Sequence, residues 1–537
     1  MKLLEKHKEF FTDIDKLYPY QEEVINHLYG ENNTLAIIPT GGGKSMIYQL
    51  YALELPGITI VISPLIALMK DQVDDLQKRG IKALAFNSDI TFNEQREIIR
   101  NIANSDIKLL YLSPERLQNG IFKAGLAASG VKISMIVIDE AHCISQWGQG
   151  FRPEYAQIPP FLDFLNDNHQ KPQILALTAT LARAPRKAIK KYFKIDDRYT
   201  YIPKTIIRDN LTLTFQKVEK EKDKAEALQT FLEQHQPTKV LAYFYSRLKC
   251  EEFSNSFAEL GYNTGYYHSG LEREQKDLVF DKYKSGEIDM LFTTTAFGMG
   301  INIPDIDAVV HMQMPHCIEE YYQHVGRGWR DKKMERNCHC LLLWSEVNAE
   351  RRKEDLKKEI LDLEALHLRI NKLLGKRRKS GKVVFKDKEE YLNSSENLQL
   401  IRYKLEKAGL INTIGEINGS PLTIKMKDKH SFWERILDSL DGMDSFGWAS
   451  QVTGISINEM IDFIYEQEFN NRIEKLPAMR RDLYFEINID PFPTEILEAI
   501  VNEINDAVHK RLKDLEDLRE LFVHENPELI ISKHLSG

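Results

Sequence analysis

Residues 133–155 read ISMIVIDEAHCISQWGQGFRPEY, an apolar run that ends in two neighbouring carboxylates. A short apolar run bounded by polar residues is typical of a strand buried inside a parallel sheet. This prediction places Asp139 and Glu140 at the carboxyl end of the strand, where open α/β sheets bind their ligands. We expect Asp139 to hold Mg²⁺ and Glu140 to polarise an attacking water molecule.

The loop after this acidic pair is rich in aromatic and basic side chains. Aromatic rings stack on any unpaired base, at about 1–3 kcal/mol each, and an arginine can take a phosphate. The alternative is that Trp147 and Phe151 only cover the core of their lobe. On the first interpretation, the predicted nucleic-acid contacts are Gln146, Trp147, Phe151 and Arg152.

A glycine-rich turn, PTGGGKS at residues 39–45, lies between a predicted strand and a helical pattern. Glycines let backbone N–H groups approach and encircle phosphates, although the strict pattern would have a glycine at Ile38. Gln21, just upstream, is a candidate for reading the adenine edge; the alternative is a surface glutamine on a helix. The turn and the acidic pair together predict ATP and Mg²⁺ as cofactors. The predicted ligands are Gln21, Thr40, Gly41, Gly42, Gly43, Lys44 at the β and γ phosphates, Ser45 at Mg²⁺, and Asp139.

Two arginines, Arg327 and Arg330, follow a helical pattern in the segment QHVGRGWRD, residues 323–331. Their spacing allows both to project from one turn towards a γ-phosphate held by the glycine-rich turn. Arginine suits this role because its planar fork pairs bidentately with phosphate oxygens and does not deprotonate. The alternative interpretation is a surface network of arginine and aspartate.

Short apolar runs alternate with longer helical patterns up to residue 345, which predicts two tandem parallel-sheet lobes of the α/β class. The predicted lobes span residues 1–205 and 206–345. The strands expected in the first lobe are 35–38, 58–62, 108–112, 135–138 and 174–177. Those expected in the second are 240–245, 263–267, 289–293, 308–312 and 338–343.

The pattern changes after residue 345, where the chain becomes helical and charge-rich. We predict a helical and basic linker over 346–380. A winged-helix-like domain over 381–430 follows, with a helix and then a hairpin turning at Asn418-Gly419. Residues 431–537 are predicted to be mainly helical, and they end in an apolar stripe. Its near-heptad spacing suits either a dimer seam or packing on the chain's own core, which leaves monomer and dimer open. The stripe consists of Leu497, Val501, Ile504, Val508, Leu512, Leu515, Leu518 and Phe522.

The formal net charge of −8 does not by itself indicate nucleic-acid binding, so charge has to be considered locally. Residues 372–382, KLLGKRRKSGK, carry six basic side chains and no acidic one. We predict that Lys376, Arg377 and Arg378 contact DNA, with a solvated linker as the equal alternative.

The five cysteines are scattered and odd in number, which argues against a disulfide framework and suits a reducing compartment. The clustered Cys338 and Cys340 fit a buried strand better than a metal site. No apolar run approaches the ~20 residues of a membrane span, so we predict a cytoplasmic protein without membrane contact.

Seven motifs in order carry a resemblance to a known family. They are PTGGGKSMIYQL (39–50), SPLIALMKDQV (63–73), DEAHCISQWGQGFRPEY (139–155), ALTAT (176–180), YHSGLE (267–272), TTAFGMGINIPD (294–305) and YYQHVGRGWRD (321–331). Over roughly residues 17–345 the chain resembles the RecQ family of superfamily 2 DNA helicases, whose members have two RecA-like lobes.

The resemblance implies specific roles for several residues. Gln21 would contact adenine, the loop around Trp147 would transmit DNA contact to the ATP site, and Lys44, Glu140, Arg327 and Arg330 would be catalytic. It also implies 3′→5′ movement on single-stranded DNA, unwinding of tailed duplexes, and a setting in DNA repair, recombination or genome defence. The residues expected to couple hydrolysis to lobe movement are His142, Thr178, Thr180 and Gln323.

The chain departs from the family pattern at three places. Residues 345–381 contain no cysteine, so we predict that the usual zinc module is absent. Gly328 and Trp329 stand between the two arginines, where small residues are usual, and Trp329 is expected to pack on the nucleotide or in the interlobe cleft. The region after Lys429 resembles no accessory domain and could bind a protein partner.

Three alternatives stand beside the helicase. One is a DNA-stimulated translocase or sensor ATPase that acts with a partner without separating strands. An inactive interaction scaffold is disfavoured because the nucleotide-site residues occur together. RNA is the third alternative, as a substrate in place of DNA, and the aromatic loop favours DNA.

Overall fold

A computed structural model provides the structure of the protein. It describes residues 2–536 except 40, 88–89, 91, 105–106, 118–119, 145–152, 180–182, 204–207, 209, 296, 298–302, 330–336, 375–382, 388–390, 392–396, 419–423, 427–466, 468–472 and 476–480. Several predicted site residues therefore lie outside the described part of the chain. They are Thr40, Gln146, Trp147, Phe151, Arg152, Thr180, Arg330, Lys376, Arg377 and Arg378.

The first lobe is built on a seven-stranded sheet in which every pair of neighbouring strands is parallel. Its order is β3-β4-β2-β5-β6-β1-β7. The strands are β1 (Thr34–Ile37), β2 (Ile58–Ile62), β3 (Ala83–Phe86), β4 (Leu109–Leu112), β5 (Ile133–Ile138), β6 (Gln173–Thr178) and β7 (Thr200–Tyr201). The helices are α1 (Lys2–Lys6), α2 (Pro19–Tyr29), α3 (Lys44–Ala52), α4 (Ile66–Lys78), α5 (Phe92–Asn104), α6 (Gly120–Ser129), α7 (Ile158–Asp167) and α8 (Arg183–Tyr192).

The apolar run that ends in the acidic pair is β5, the central strand of this sheet. Apolar cores cover both faces of the sheet, which is why β5 can be apolar almost without interruption. All five strands predicted here are confirmed, while β3 and β7 at the two edges were not predicted.

The second lobe repeats this architecture with six parallel strands in the order β10-β11-β9-β12-β13-β8. The two-lobe α/β prediction is therefore confirmed. The strands are β8 (Leu211–Lys217), β9 (Val240–Tyr243), β10 (Thr264–Tyr267), β11 (Met290–Thr293), β12 (Ala308–His311) and β13 (Cys338–Trp344). The helices are α9 (Asp223–His235), α10 (Arg247–Glu259), α11 (Arg273–Ser285) and α12 (Ile318–Val325).

The region after the second lobe combines helices with two small sheets. The linker predicted over 346–380 contains two helices, α13 and α14, which are separated near residue 360. The helices are α13 (Glu346–Lys357), α14 (Leu363–Leu374), α15 (Leu398–Lys407), α16 (Thr494–Val523) and α17 (Pro527–Ser536). The strands are β14 (Val383–Asp387), β15 (Ile411–Asn418), β16 (Ile424–Met426), β17 (Ile473–Lys475) and β18 (Arg481–Ile487).

The hairpin predicted at Asn418-Gly419 falls partly outside the described residues, because residues 419–423 are not described, and the described strands on its two sides have other partners. β15 pairs antiparallel with β18, and β16 pairs with β17. The turn signal is local, whereas the partner of β15 is selected by the buried residues of β18, such as Phe485. The resulting sheet, β14-β18-β15, draws strands from both sides of the predicted boundary at residue 430.

Helix α16 carries the C-terminal apolar stripe and joins two cores. Its first half packs in a core with α14, α15, β15 and β18, and we call this region, residues 361–504, the C-terminal unit. Its second half packs in the core of the second lobe. Phe522 contacts Phe215 and Trp344 of the second lobe. The stripe therefore packs on the chain's own core, as one of the two interpretations proposed, and the choice between monomer and dimer stays a prediction.

All five cysteines are buried with free thiols, and Cys338 and Cys340 lie in β13, as predicted. In the part of the chain that the structure describes, no helix is long and apolar enough to cross a membrane. Within the same residues, no group of three or more His, Cys, Asp or Glu side chains is placed to hold a metal ion.

Candidate active site

Three adjacent strands, β1, β6 and β5, bring the predicted nucleotide site together in the first lobe. The glycine-rich turn follows β1, Thr178 ends β6, and the acidic pair follows β5. Because parallel strands share one carboxyl edge, segments distant in sequence converge there.

The glycine-rich turn is shaped for close approach of an anion. Gly43 lies in the left-handed region at φ 71° and caps α3, so Lys44 is the first residue of that helix. A Cβ on Gly42 would lie 2.6 Å from the Ile38 side chain, which explains the glycine there. The turn therefore presents the N-terminus of α3, where N–H groups and the helix dipole favour negative charge.

Two side chains from α2 hold the glycine-rich turn through hydrogen bonds to its carbonyl groups. Tyr20 donates its hydroxyl proton to the Gly42 carbonyl at 2.8 Å. Gln21 donates from Nε2 to the Gly43 carbonyl at 3.0 Å and is only 3 % exposed. The surface-glutamine alternative is therefore wrong, because Gln21 is buried against the turn.

The acidic pair lies directly beside the turn. The Lys44 ammonium donates to Glu140 Oε1 at 3.3 Å, and Ser63 donates to Asp139 Oδ2 at 3.3 Å. The Tyr155 hydroxyl donates to the Asp139 carbonyl at 2.7 Å. Tyr155 thereby links the end of the aromatic-rich segment to the backbone of the acidic pair.

The two carboxylates are electrostatically unequal. Burial and the neighbouring Glu140 charge raise the pKa of Asp139 to about 6. Burial alone would raise the pKa of Glu140, but Lys44 and His142 outweigh it, and this pKa lies below its usual range. Lys44 therefore acts mainly as the counter-cation of Glu140, and its effect on Asp139 does not offset burial and the Glu140 charge.

The donor set around Asp139 suits a hard divalent cation. Asp139 offers carboxylate oxygens at the strand end, and Ser45 stands in the first turn of α3 beside Lys44. Mg²⁺ is commonly held by one or two protein oxygens together with substrate phosphates and water, so the pair fits it. The pKa of Asp139 is raised in a way that a bound cation would reverse.

His142 connects the acidic pair to the neighbouring strand. Its Nδ1 lies 3.0 Å from the Thr178 hydroxyl and 3.3 Å from Glu140 Oε2. Burial disfavours the charged imidazole, yet contact with Cys143 and Glu140 raises the pKa of His142. The predicted pair of His142 and Thr178 is therefore a direct contact at the end of β6.

The second lobe holds the arginine segment just after α12. We call residues 326–329 the arginine loop. Arg327 is only 4 % exposed, and its Nε has no hydrogen-bond partner among the described residues. The surface-network alternative is therefore wrong for Arg327. Gln323 lies one turn earlier in α12.

Trp329 does not pack where we expected. Its ring lies in the core of the second lobe, because a large apolar side chain gains most by leaving water. Its backbone has a positive φ of 24°, and its N–H donates to the Ile306 carbonyl at 2.6 Å. Trp329 is thus an anchor of the arginine loop.

Sequence reasoning missed four residues that shape these two places. Tyr20, Ser63 and Tyr155 lie at the nucleotide site, and Arg208 donates hydrogen bonds to the Gly326 and Gly328 carbonyls of the arginine loop. Ser63 and Tyr155 lie within two of the seven motifs, so membership of a motif was the signal that could have identified them. The roles of Tyr20 and Arg208 depend on carbonyl groups that no sequence pattern marks.

Comparisons with known proteins agree with this geometry. The fold and the site define a two-lobed, phosphate-loop protein of the helicase class. A DEAD/DEAH box helicase domain model matches residues 18–188, and a helicase conserved C-terminal domain model matches residues 223–332. The chain is 34 % identical over 331 residues to the ATP-dependent DNA helicase RecQ of Synechocystis, covering 61 % of this chain and 68 % of the relative. The chain belongs to the RecQ family.

Other relatives show how far the likeness extends. RecQ of Pasteurella multocida is 40 % identical over 311 residues, which cover 58 % of this chain and 48 % of the relative. RecQ of Bacillus subtilis is 36 % identical over 358 residues, covering 64 % and 58 %. The chain thus spans about half the length of the Pasteurella relative.

Solved structures support the fold. The Mycobacterium smegmatis helicase Lhr bound to ssDNA and AMP-PNP matches with a TM-score of 0.52 at 18 % identity, covering 68 % of this chain and 52 % of Lhr. S. cerevisiae Dbp5 bound to RNA and ADP BeF3 also matches with a TM-score of 0.52 at 18 % identity, covering 67 % and 91 %.

Proposed function

We propose that this protein is an ATP-dependent DNA helicase that moves 3′→5′ on single-stranded DNA and separates tailed duplexes. The contact between Lys44 and Glu140 at 3.3 Å carries the proposal, because it joins a phosphate-binding turn to a water-polarising carboxylate. Membership of the RecQ family supports the choice of DNA and of this polarity.

The chain's own residues divide the hydrolytic work. The turn and Lys44 bind the phosphates, and Ser45 and Asp139 would hold Mg²⁺, which neutralises phosphate charge when bound. When the phosphates bind the Lys44 ammonium, the contact between Lys44 and Glu140 is released. Glu140 is then available to orient and deprotonate the attacking water. Arg327 and Arg330 stabilise the charge that develops on the γ-phosphate.

His142, Thr178, Thr180 and Gln323 would couple this step to movement of the lobes. The contact between His142 and Thr178 supports this role, because a change at Glu140 reaches β6 through one side chain. Tyr155 gives the predicted DNA contacts at Gln146, Trp147, Phe151 and Arg152 a backbone connection to Asp139. Lys376, Arg377 and Arg378 would add charge along the DNA.

Strand displacement on matched duplexes with a 3′ tail, a 5′ tail or no tail tests the proposal, with Lys44→Ala as the control. We expect displacement of the 3′-tailed duplex alone, and none by the variant. DNA-stimulated hydrolysis without displacement would favour the translocase or sensor. Equal stimulation of hydrolysis by RNA would contradict the choice of DNA.

The setting in DNA repair, recombination or genome defence and the cytoplasmic location remain predictions. A protein partner that binds through the region after Lys429 is also a prediction. Strand β18 of this region pairs with β15, which follows α15, and α15 contacts the 3₁₀ turn Pro153–Gln157.

A further inference from the structure

The arginine loop is held by a residue from the segment that connects the two lobes. Arg208 lies between β7 of the first lobe and β8 of the second. Its guanidinium donates to the Gly326 carbonyl at 3.1 Å and to the Gly328 carbonyl at 2.8 Å. A further bond reaches the Trp329 carbonyl.

Asn210 completes this arrangement. Its amide oxygen accepts from Arg208 Nε and Nη2 at 3.2 and 3.1 Å, and its Nδ2 donates to the Trp329 carbonyl at 3.1 Å. Arg208 is therefore oriented by Asn210 while it grips the loop. The planar guanidinium can hold several acceptors at fixed angles, which a lysine ammonium cannot do.

The bonds from Arg208 fall on both sides of Arg327. The Gly326 carbonyl precedes Arg327, and the Gly328 carbonyl follows it, so the backbone position of Arg327 is set from both directions. The loop is also pressed against β13, since a Cβ on Gly328 would lie 2.1 Å from Cys338 Sγ. Together with the buried ring of Trp329, these contacts leave little freedom to the loop.

The environment of Arg208 fits a positioning role. Burial lowers the pKa of Arg208, so its charge is held at a cost in solvation. Its described acceptors are carbonyl oxygens of the arginine loop and the Asn210 amide.

We propose that Arg208 is a positioning residue for ATP hydrolysis. It holds the backbone of Arg327 at a fixed position relative to the segment that connects the two lobes. The inference rests on the proposed function, because it gives Arg327 a role in turnover. Movement of the connection would shift the arginine loop directly, without a path through the core of the lobe.

Steady-state ATP hydrolysis with saturating single-stranded DNA tests this inference. We expect Arg208→Ala to lower kcat by about 10²-fold with little change in KM, since a small displacement of a catalytic group can cost that much. Arg208→Lys should give an intermediate kcat, and its retained charge also protects against loss of folding. Asn210→Ala should have a smaller effect in the same direction.

A double-mutant cycle separates positioning from general stability. If Arg208 acts through Arg327, the Arg208→Ala/Arg327→Ala protein should be no slower than Arg327→Ala alone. Arg79→Ala is the matched control, because Arg79 also makes several bonds, to Asp13, Asp75 and the Phe10 carbonyl in the first lobe. It should lower the unfolding temperature without lowering kcat.

The outcomes distinguish the two proposals. Independent, multiplicative losses in the double variant, or an unchanged kcat in Arg208→Ala, would overturn the positioning role. A kcat loss no larger than that of Arg79→Ala at equal loss of stability would overturn it as well. Wild-type protein without ATP hydrolysis, or full activity in Arg327→Ala, would instead contradict the proposed function.

Discussion

The nucleotide site of the first lobe and the arginine loop of the second lobe are built in different ways. The nucleotide site is made by short segments that carry their own chemistry and meet at one edge of a sheet. The arginine loop carries a single reactive group, Arg327, and its position depends on Arg208, which lies 118–121 positions away from the loop carbonyls along the chain. A motif can therefore specify a reactive group without specifying what holds it.

The largest expected effect concerns the nucleotide site. Glu140→Gln should lower ATP hydrolysis by about 10³-fold, because an amide cannot accept the proton of the attacking water. ATP binding should persist, since Lys44 loses a competing carboxylate. Hydrolysis and nucleotide binding would be measured side by side, with the exposed Glu226→Gln as the control. Hydrolysis at the wild-type rate would contradict the assigned role.

A second prediction concerns the support that α17 gives to α12, the helix that precedes the arginine loop. Leu535 is buried in the core of the second lobe, and His534 pairs with Glu319 at 3.0 Å. Leu535→Ala should cost about 2–5 kcal/mol of the free energy of unfolding. Leu529 on the same helix is 61 % exposed, so Leu529→Ala is the matched control. Equal stability of the two variants in urea unfolding would argue against this support.

A third prediction concerns the close packing of Gly328 in the arginine loop against Cys338 in β13. Gly328→Ala should destabilise the protein by about 1–3 kcal/mol, because the new methyl group overlaps Cys338 Sγ. Adding Cys338→Ala should recover part of this loss by removing the sulfur. Thermal unfolding of the single and double variants measures both effects. A double variant less stable than Gly328→Ala would mean that the clash is not the cause.

The smallest expected effect concerns the hydrogen bond that links Tyr155 to the backbone of the acidic pair. Tyr155→Phe removes the bond to the Asp139 carbonyl and should cost about 1 kcal/mol of stability. It should also weaken the stimulation of ATP hydrolysis by DNA, leaving the DNA-free rate near normal. Tyr29→Phe, at an exposed tyrosine, serves as the control. Unchanged stimulation would restrict Tyr155 to a structural role.

The strands of both lobes show how far local pattern reaches. β5 and β2 were predicted because buried parallel strands are apolar in themselves. β8 was missed because it is an edge strand whose exposed residues alternate with partly buried ones, and its partner is the distant β13. The pairing of β15 with β18 was missed because these two strands are likewise distant in sequence.

The sequence alone predicted the two-lobed α/β class, which the structure confirms, and the residues of a candidate nucleotide site. It could do so because Gly43, Lys44, Asp139 and Glu140 act within short segments whose geometry is set by the neighbouring strand or helix. The tertiary structure was needed to show that Gln21 is buried against the glycine-rich turn, that Trp329 lies in a core, and that the C-terminal stripe packs partly in the C-terminal unit and partly in the second lobe. These placements depend on which segments distant in sequence pack together and exclude water, and a local sequence pattern does not specify such contacts.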